Sequence, residues 1–460
     1  MWLTSSLVYS AVVCTLAGQG ANAAITAPDF TSTASTESIK KTAGIIAKDL
    51  MSFYTGDKPN DVPGNLPDPY YWWEAGAMFG TMINYWHYTG DTQYNAASMQ
   101  ALLHQKGDDN DYMPLNQSKT LGNDDQGFWG MAAMTAAETN FPAPPKDEPG
   151  WLALAQGVFN TQTTRWDMKT CNGGLRWQIF PFNNGFNYKN TISNGCLFNL
   201  GARLALYTGN ATYADWATKT WDWVANVGFL SADYHVYDGA QVADNCSVRD
   251  HNTWSYNSGI YLLGAAAMYN FTDGSPLWED RVKRLLNQTT NTFFVNGVMR
   301  ELCEAGKCNV DQQSFKAYLA RWMAATTNLA PFTEKPILAL LASSAAAASS
   351  TCSGGPSGTQ CGLKWTTPGV NDGILGVGEQ MAALEIVQSN LITTTPGWVS
   401  AVKGTGNSTG DPNAGSDSKG GVEALMSRPI TTKDRVGAGI LTALVLIGVV
   451  GGSATMMISE

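Results

Sequence analysis

One kind of segment recurs six times along the chain: polar or glycine residues, followed by small and apolar residues at helical spacing. Alanine and glycine within these runs allow close packing on several sides, so the pattern predicts six buried inner helices. Their starts lie roughly 50 to 70 residues apart, the length of a helical hairpin plus a loop. The predicted inner helices cover residues 74–88, 125–139, 194–207, 257–269, 312–327 and 372–388.

Between these segments lie amphipathic ones, which predict outer helices with one face towards water. They cover residues 37–53, 92–104, 151–168, 213–226, 277–292 and 334–344. Strand-like alternation is scarce throughout. Six inner and six outer helices in alternation predict an all-α fold, an (α/α)6 toroid or barrel of six helical hairpins.

The connections between predicted helices are unequal in length. Turns from an inner to an outer helix are short, as at Thr272-Asp273-Gly274, whereas connections from an outer to an inner helix are long, as at 105–124 and 227–256. In such a ring all the long loops emerge on one face, at the N-termini of the inner helices. Because function usually lies on long loops held by a rigid scaffold, we expect the functional rim on this face.

The N-terminus and the cysteines indicate a secreted protein. Residues 1–23 are predicted to be a signal peptide, because an apolar run precedes the small-x-small site Ala21-Asn22-Ala23. Six Asn-x-Ser/Thr sequons fit a secreted glycoprotein. In an oxidising compartment we expect two local disulfides, Cys303–Cys308 and Cys352–Cys361. A third is expected between two of the cysteines that remain once Cys14 of the signal peptide is set aside, which are Cys171, Cys196 and Cys246.

The C-terminus has the pattern of a glycosylphosphatidylinositol (GPI) signal. A Gly/Ser-rich linker and spacer, 396–435, precedes an apolar tail, 436–460. The alternative is an ordinary transmembrane helix, for which about fifteen strongly apolar residues make a short span. We therefore predict one domain over 24–395, tethered by lipid to the outer face of the plasma membrane or to the cell wall. Acceptable attachment residues are Ser416, Ser418 and Gly420.

Composition narrows the chemistry. The 460 residues carry 28 Lys+Arg against 38 Asp+Glu without a basic, aromatic-interleaved patch, which argues against nucleic acid as a partner. The four histidines are scattered and no Cys-x-x-Cys pair occurs, so we expect neither a metal nor a cofactor.

The rim loops are rich in aromatic side chains beside amides and charged groups. Each aromatic alone is as typical of a toroid core as of a binding surface, but so many beside polar groups favour an oligosaccharide groove. The candidate substrate-binding residues are Trp72, Trp73, Glu74, Asn123, Trp129, Arg176, Trp177, Asn183, Asn194, Trp254 and Tyr256.

Two adjacent carboxylates, Asp124 and Asp125, open the second predicted inner helix at this rim. Glycoside hydrolysis needs two carboxyl groups, one as nucleophile or base and one as general acid. Aspartate is also common in the first turn of any helix, so the position of the pair on the rim, with Trp129 close behind, is what favours catalysis. Other rim carboxylates compete for the role or cap helices: Glu74, Asp238, Asp244, Asp250, Asp311 and Asp372.

Four blocks of this sequence resemble family 76 glycoside hydrolases, especially the lipid-anchored fungal cell-wall branch of α-1,6-mannosidases. The blocks are Tyr71-Trp72-Trp73-Glu74-Ala75-Gly76-Ala77, Asn123-Asp124-Asp125-Gln126-Gly127-Phe128-Trp129-Gly130, residues 183–195 and residues 254–259. The resemblance covers about residues 30–395 and implies an (α/α)6 fold, metal-independent retaining chemistry and α-1,6-linked mannose as donor. It also implies Asp124 as nucleophile and Asp125 as acid/base, while the residues themselves leave the order of these roles open.

The leading hypothesis is a retaining α-1,6-mannosidase or transglycosidase of the fungal cell wall. The resemblance implies cleavage of α-mannosidic bonds in mannan or in the GPI core glycan, and transfer of GPI-anchored proteins to wall β-glucan. One alternative is a non-catalytic carbohydrate-binding protein of the cell surface. Another is an inverting (α/α)6 glycosidase that uses a distant carboxylate, such as Asp250 or Asp311, as base. Hydrolysis and transfer both stay open at this point.

Overall fold

The computed structural model describes residues 35–416 and 432–458. The predicted signal peptide and two candidate anchor residues, Ser418 and Gly420, lie outside the described residues. The helices are α1 (Thr36–Met51), α2 (Trp72–Thr89), α3 (Asn95–His104), α4 (Asn123–Glu138), α5 (Trp151–Thr164), α6 (Thr191–Thr208), α7 (Ala211–Val227), α8 (Ser255–Phe271), α9 (Pro276–Phe293), α10 (Val310–Leu329), α11 (Glu334–Ser350), α12 (Val377–Gln388) and α13 (Thr432–Ile458).

The even-numbered helices α2 to α12 form a closed inner ring. Each packs against the next, and α12 contacts α2, which completes the circle. The odd-numbered helices α1 to α11 lie outside and pack against their inner neighbours. The predicted (α/α)6 toroid is thereby confirmed.

Small residues explain why the inner helices can approach so closely. At Gly127 of α4, an added Cβ would lie 2.5 Å from Cβ of Cys196 in α6, far inside van der Waals contact. The predicted short turns also have a local cause, because α2 and α6 each end at a left-handed glycine, Gly90 (φ 79°) and Gly209 (φ 73°). These turns gather on the face opposite the long loops.

The sequence did not predict two small sheets in the long loops. Strands β1 (Tyr188–Asn190), β2 (Tyr237–Gln241) and β3 (Arg249–Thr253) form an antiparallel sheet in the order β1-β2-β3. Strands β4 (Phe294–Val295) and β5 (Val298–Met299) form a hairpin. The first sheet joins two long rim loops and thereby shapes the rim.

The predicted start of the last inner helix at residue 372 is wrong, since α12 begins at Val377. The Asp372 carboxylate instead accepts backbone N–H bonds from Leu363 (3.1 Å) and Lys364 (3.0 Å), which holds the preceding loop. Gly373 follows with φ 74°, a left-handed conformation that cannot continue into a helix.

The disulfide predictions are confirmed. Cys303–Cys308 and Cys352–Cys361 are local bridges, and Cys171–Cys246 joins two rim loops. Among the cysteines that the structure describes, Cys196 is left over, buried as a free thiol within α6.

Residues 396–416, which we call the strap, were assigned to the linker by sequence but lie against the helices. The backbone N–H of Val399 donates to the carbonyl of Glu138 (2.8 Å), and that of Ala401 to the carbonyl of Tyr207 (3.0 Å). The packed region therefore extends beyond the predicted boundary at residue 395.

Farther on, α13 exposes its apolar residues from Val436 to Val449. None of the helices in the described ranges meets the length and hydropathy needed to cross a membrane.

A buried ion pair links neighbouring inner helices near the strap. Arg203 of α6 contacts Glu138 of α4 at 2.5 Å between Nη2 and Oε2, and its Nε lies 3.1 Å from Oε1. Both side chains are almost completely buried. Removing one partner therefore leaves a charge in the core without its counter-ion.

We expect Arg203→Met to lower the free energy of unfolding by about 3–5 kcal/mol, because Glu138 stays buried and unpaired. Urea unfolding followed by circular dichroism measures the change. The matched control is Lys283→Met, which breaks the exposed pair with Glu279 and should cost about 0.5 kcal/mol or less. Equal losses in the two variants would contradict the structural role of the buried pair.

Candidate active site

A cavity of about 210 Å³ opens on the rim, where the first turns of five inner helices meet the β1-β2-β3 sheet. Larger clefts of about 830 and 750 Å³ lie beside outer helices and contain neither Asp124 nor Asp125. The rim cavity is lined by Trp73, Asp124, Asp125, Phe128, Trp177, Tyr188, Asn190, Ile192, Asp238, Tyr256, Asp311 and Phe315.

Asp124 and Asp125 occupy the first turn of α4 and differ in their hydrogen bonds. Asp124 accepts two: Oδ1 from the backbone N–H of Asp125 (3.1 Å) and Oδ2 from Nδ2 of Asn190 (3.2 Å). Asp125 accepts one, from the backbone N–H of Gly122 (2.7 Å), the N-cap residue of α4. The positive end of the helix dipole favours negative charge at both positions.

These different hydrogen bonds have different effects on the pKa values of the two carboxyl groups. Burial raises the pKa of Asp124, while the hydrogen bonds from Asn190 and from the Asp125 backbone oppose that rise. Desolvation also raises the pKa of Asp125 well above its ordinary value, and the neighbouring Asp124 charge raises it further. The hydrogen bonds to Asp124 and the Asp124 charge beside Asp125 both favour ionisation of Asp124 before Asp125. An ionised carboxylate beside a protonated one can serve as a nucleophile next to a general acid.

The start of α4 is fixed by Asn123. Its Nδ2 donates to the carbonyl of Arg176 (2.8 Å), and its backbone N–H donates to the carbonyl of Trp177 (2.8 Å). Its Oδ1 accepts from Nε of Arg165 (2.8 Å). Asn194 holds the neighbouring residue Asn190, because its Nδ2 donates to the carbonyl of Asn190 (2.8 Å). Both asparagines position the catalytic candidates without lining the cavity.

Two further carboxyl groups line the cavity and are oriented by neighbouring aromatic donors. Oδ1 of Asp311 accepts from Nε1 of Trp73 (3.0 Å). Asp238 accepts from the Tyr188 hydroxyl (2.7 Å) and from Nε1 of Trp254 (2.9 Å). Desolvation raises the pKa of both carboxyl groups. The cavity thus contains four carboxyl groups within an aromatic wall.

The structure brings five of the predicted site residues to the cavity: Trp73, Asp124, Asp125, Trp177 and Tyr256. Tyr256 stacks on Phe315, with ring centroids 3.8 Å apart and an interplanar angle of 6°. Trp254 does not line the cavity but donates to Asp238, which does.

Three other predicted binding residues belong to the core. Trp72 and Trp129 stack on each other with centroids 5.2 Å apart. Nε1 of Trp72 donates to Gln105 (2.8 Å), and Nε1 of Trp129 donates to the Trp72 carbonyl (3.3 Å). Glu74 is fully buried and accepts the backbone N–H of Tyr71 (3.4 Å), so it caps α2. The two tryptophans therefore pack in the core, and the glutamate caps a helix.

Two more predicted binding residues shape the rim loops from outside the cavity. Arg176 forms an ion pair with Asp167 (2.9 Å) and donates to the carbonyl of Phe186 (2.9 Å). Asn183 donates through Nδ2 to the carbonyl of Ser118 (3.1 Å). Neither side chain lines the cavity.

Sequence reasoning missed several lining residues, of which Asn190 matters most. It is the N-cap of α6, with Oδ1 accepting the backbone N–H of Ser193 (3.2 Å) while Nδ2 reaches Asp124. The helix was predicted to begin at residue 194, whereas α6 begins at Thr191, so Asn190 was not recognised as an N-cap. The other residues missed are Phe128, Tyr188, Ile192 and Phe315.

A helical toroid with two carboxyl groups enclosed side by side at its rim is the arrangement expected of a glycoside hydrolase. The chain belongs to glycosyl hydrolase family 76, whose family model matches residues 38–402. The family resemblance seen in the sequence blocks is therefore confirmed, and the protein is an enzyme of this class.

Two yeast proteins and one solved fungal structure are close relatives of this chain. The chain is 48% identical over 418 residues to the mannan endo-1,6-α-mannosidase DCW1 of Saccharomyces cerevisiae, covering 90% of this chain and 92% of the relative. It is 43% identical over 429 residues to the mannan endo-1,6-α-mannosidase DFG5 of the same yeast, covering 92% and 93%. The crystal structure of Dfg5 from Chaetomium thermophilum, in complex with glucosamine, matches with a TM-score of 0.81 and 47% identity, covering 85% of this chain and 98% of that one.

We expect Asp125→Asn to raise Tm at pH 7.5 by about 1–4 °C and to leave it unchanged near pH 3. A carboxyl group whose pKa is higher in the folded than in the unfolded state stabilises the fold at pH values below its unfolded pKa, near 4. This stabilisation is lost as the pH rises through the pKa of the folded state. An amide at position 125 does not ionise, so the variant loses no stability at high pH, and it can still accept the Gly122 N–H. Scanning calorimetry at both pH values measures the effect.

The control is Asp244→Asn, at an exposed rim position, which should match the wild type at both pH values. A lower Tm for Asp125→Asn at pH 7.5 would show that the ionised carboxylate stabilises the fold.

Proposed function

We propose that this enzyme is a retaining α-1,6-mannosidase that also transfers the glycan it cleaves. The unequal pair in the first turn of α4 carries the proposal: Asp124 accepts two hydrogen bonds and Asp125 accepts one, which favours ionisation of Asp124 first. A retaining glycosidase needs such a pair, one group as nucleophile and the other as acid and then base.

In the first step, the Asp124 carboxylate attacks the anomeric carbon of the donor mannose, and the C–O bond to the leaving group breaks. Asp125 gives its proton to the departing oxygen. The product is a mannosyl ester on Asp124 with inverted configuration. In the second step, Asp125 takes a proton from water or an acceptor hydroxyl, whose oxygen displaces Asp124 and restores the original configuration.

The proposed donor is an α-1,6-linked mannan or the mannose-containing core glycan of a GPI anchor. The first choice is supported by the two yeast relatives, which are named mannan endo-1,6-α-mannosidases. The aromatic wall of the cavity, including Trp73, Trp177 and Tyr256, supplies apolar faces against which sugar C–H groups can pack.

The GPI core glycan is supported by the acidity of the cavity. Asp238 and Asp311 are partly buried without a cationic side chain among the lining residues, and desolvation raises the pKa of both. A protonated amino sugar would supply the missing positive charge and restore their ordinary ionisation. The Dfg5 relative is in complex with glucosamine, an amino sugar.

The proposed setting is the fungal cell surface. A signal peptide over 1–23 and a GPI signal in the C-terminal residues would place the enzyme on the outer face of the plasma membrane or in the cell wall. Wall β-glucan is then the proposed acceptor, and GPI-anchored proteins are the transferred cargo. The three disulfides fit an oxidising compartment.

NMR analysis of the reaction with a defined α-1,6-mannooligosaccharide tests this proposal. We expect the first-formed products to have the α configuration, and a mannose–glucan adduct to appear when a β-glucan oligosaccharide is added. Asp124→Asn should lower turnover by about 10⁴-fold or more, since it removes the nucleophile.

The matched control for this experiment is Asp250→Asn, at an exposed position of β3 outside the cavity. It should retain wild-type turnover. Inverted products, or loss of turnover in Asp250→Asn or Asp311→Asn with Asp124→Asn active, would support the inverting alternative. Bound but unchanged donor, for mannan and GPI glycan alike, would support a binding protein.

A further inference from the structure

The strap crosses the toroid from the face opposite the cavity towards the rim. It begins beside the C-terminal ends of two inner helices, where Val399 and Ala401 donate to the carbonyls of Glu138 and Tyr207. Trp398 lies over the guanidinium of Arg203, with its ring centroid 5.1 Å from Cζ. The start of the strap is therefore fixed on the far face of the ring.

From there the strap runs along the outside of α5. The backbone N–H of Leu152 donates to Oγ of Ser408 (2.9 Å). Two turns later Asn160 donates through Nδ2 to the carbonyls of Pro412 (2.9 Å) and Ala414 (2.8 Å). At about 1.5 Å per residue, the helix rises about 12 Å between these two contacts. The strap follows it in chain order, towards the rim.

The upper end of α5 belongs to the framework of the active site. Nε of Arg165, the residue after α5, donates to Oδ1 of Asn123, which directly precedes the catalytic pair. Gly415 of the strap lies against Thr161, since an added Cβ would be 3.0 Å from its Cγ2. Thr161 is one turn, about 6 Å, below Arg165. The strap therefore reaches to about one helical turn below the rim.

From this path we infer that the strap fixes the lipid attachment beside the active-site rim, so that the cavity opens towards the lipid surface. The inference rests on the anchoring part of the proposed function. Ser416, the first candidate attachment residue, directly follows Gly415. If the strap did not pack on α5, it would act as a flexible linker, and the lipid would have no defined position relative to the cavity.

This placement has a consequence for the choice of donor. The core glycan of a GPI anchor lies within a short distance of the lipid surface, and a cavity held at that surface meets it at a high effective concentration. Soluble mannooligosaccharides reach the cavity equally well with or without the strap. The strap is therefore expected to affect the turnover of membrane-bound donors only.

The test measures orientation directly on the full lipid-anchored chain, reconstituted in phosphatidylcholine vesicles that carry an acceptor dye on a headgroup lipid. A donor dye is attached at Lys119→Cys, in the loop before α4 at the rim, or at the matched Lys335→Cys, at the start of α11 on the far face. Both lysines are exposed, and the free thiol of Cys196 is buried. We expect energy transfer at least twofold more efficient from position 119.

Asn160→Ala removes the two hydrogen bonds that hold the end of the strap, and we expect it to reduce the difference between the two dye positions. Its turnover of a soluble mannooligosaccharide should stay at the wild-type level. The control is Asn226→Ala, an exposed asparagine of α7, which should change neither reading.

Equal transfer from the two positions, or greater transfer from position 335, would overturn the inference while leaving the proposed hydrolase intact. A chain that carries no lipid would overturn the anchoring part of the proposed function and this inference with it. Loss of turnover on soluble donor in the wild type would instead count against the proposed catalysis.

Discussion

Two carboxyl groups enclosed side by side in the first turn of α4 are the constraint on which the rest of the active site depends. Withdrawing adjacent carboxylates from water is unfavourable, and the structure offsets the cost with the helix dipole, the Gly122 N–H and the Asn190 amide. These donors act unequally on Asp124 and Asp125, and in the proposed mechanism this inequality makes Asp124 the nucleophile and Asp125 the acid. The closed ring of inner helices holds the donors in place.

The sequence predicted the scaffold well because its signals are local. Helical periodicity, small residues and glycine turns predicted the alternation of inner and outer helices. The lengths of the loops indicated which face of the ring carries the site. The doublet at Asp124 and Asp125 was found because it falls at a helix start on that face. Asp372 shows the limit of such reasoning, since its carboxylate holds a loop instead of beginning a helix.

The rest of the site depends on contacts between distant parts of the chain. Tyr188 and Asp238 meet only because β1 pairs with β2, and the short strands left no clear alternation in the sequence. Trp72 and Trp129 look like sugar-binding residues in sequence, yet they stack in the core. An aromatic residue near a rim can point into the ring or out of it, and local spacing does not distinguish these directions.

The central claim is that Asp124 forms the covalent bond to the sugar, while Asp125 donates a proton to the leaving group and then accepts one from the acceptor. Mass spectrometry of the enzyme after reaction with a 2-fluoro-mannosyl donor with a good leaving group tests it most directly, because the fluorine slows hydrolysis of the intermediate. The account predicts a single fluoromannosyl adduct on Asp124, absent in Asp124→Asn. An adduct on Asp125, or turnover of the donor to inverted product without any adduct, would contradict it.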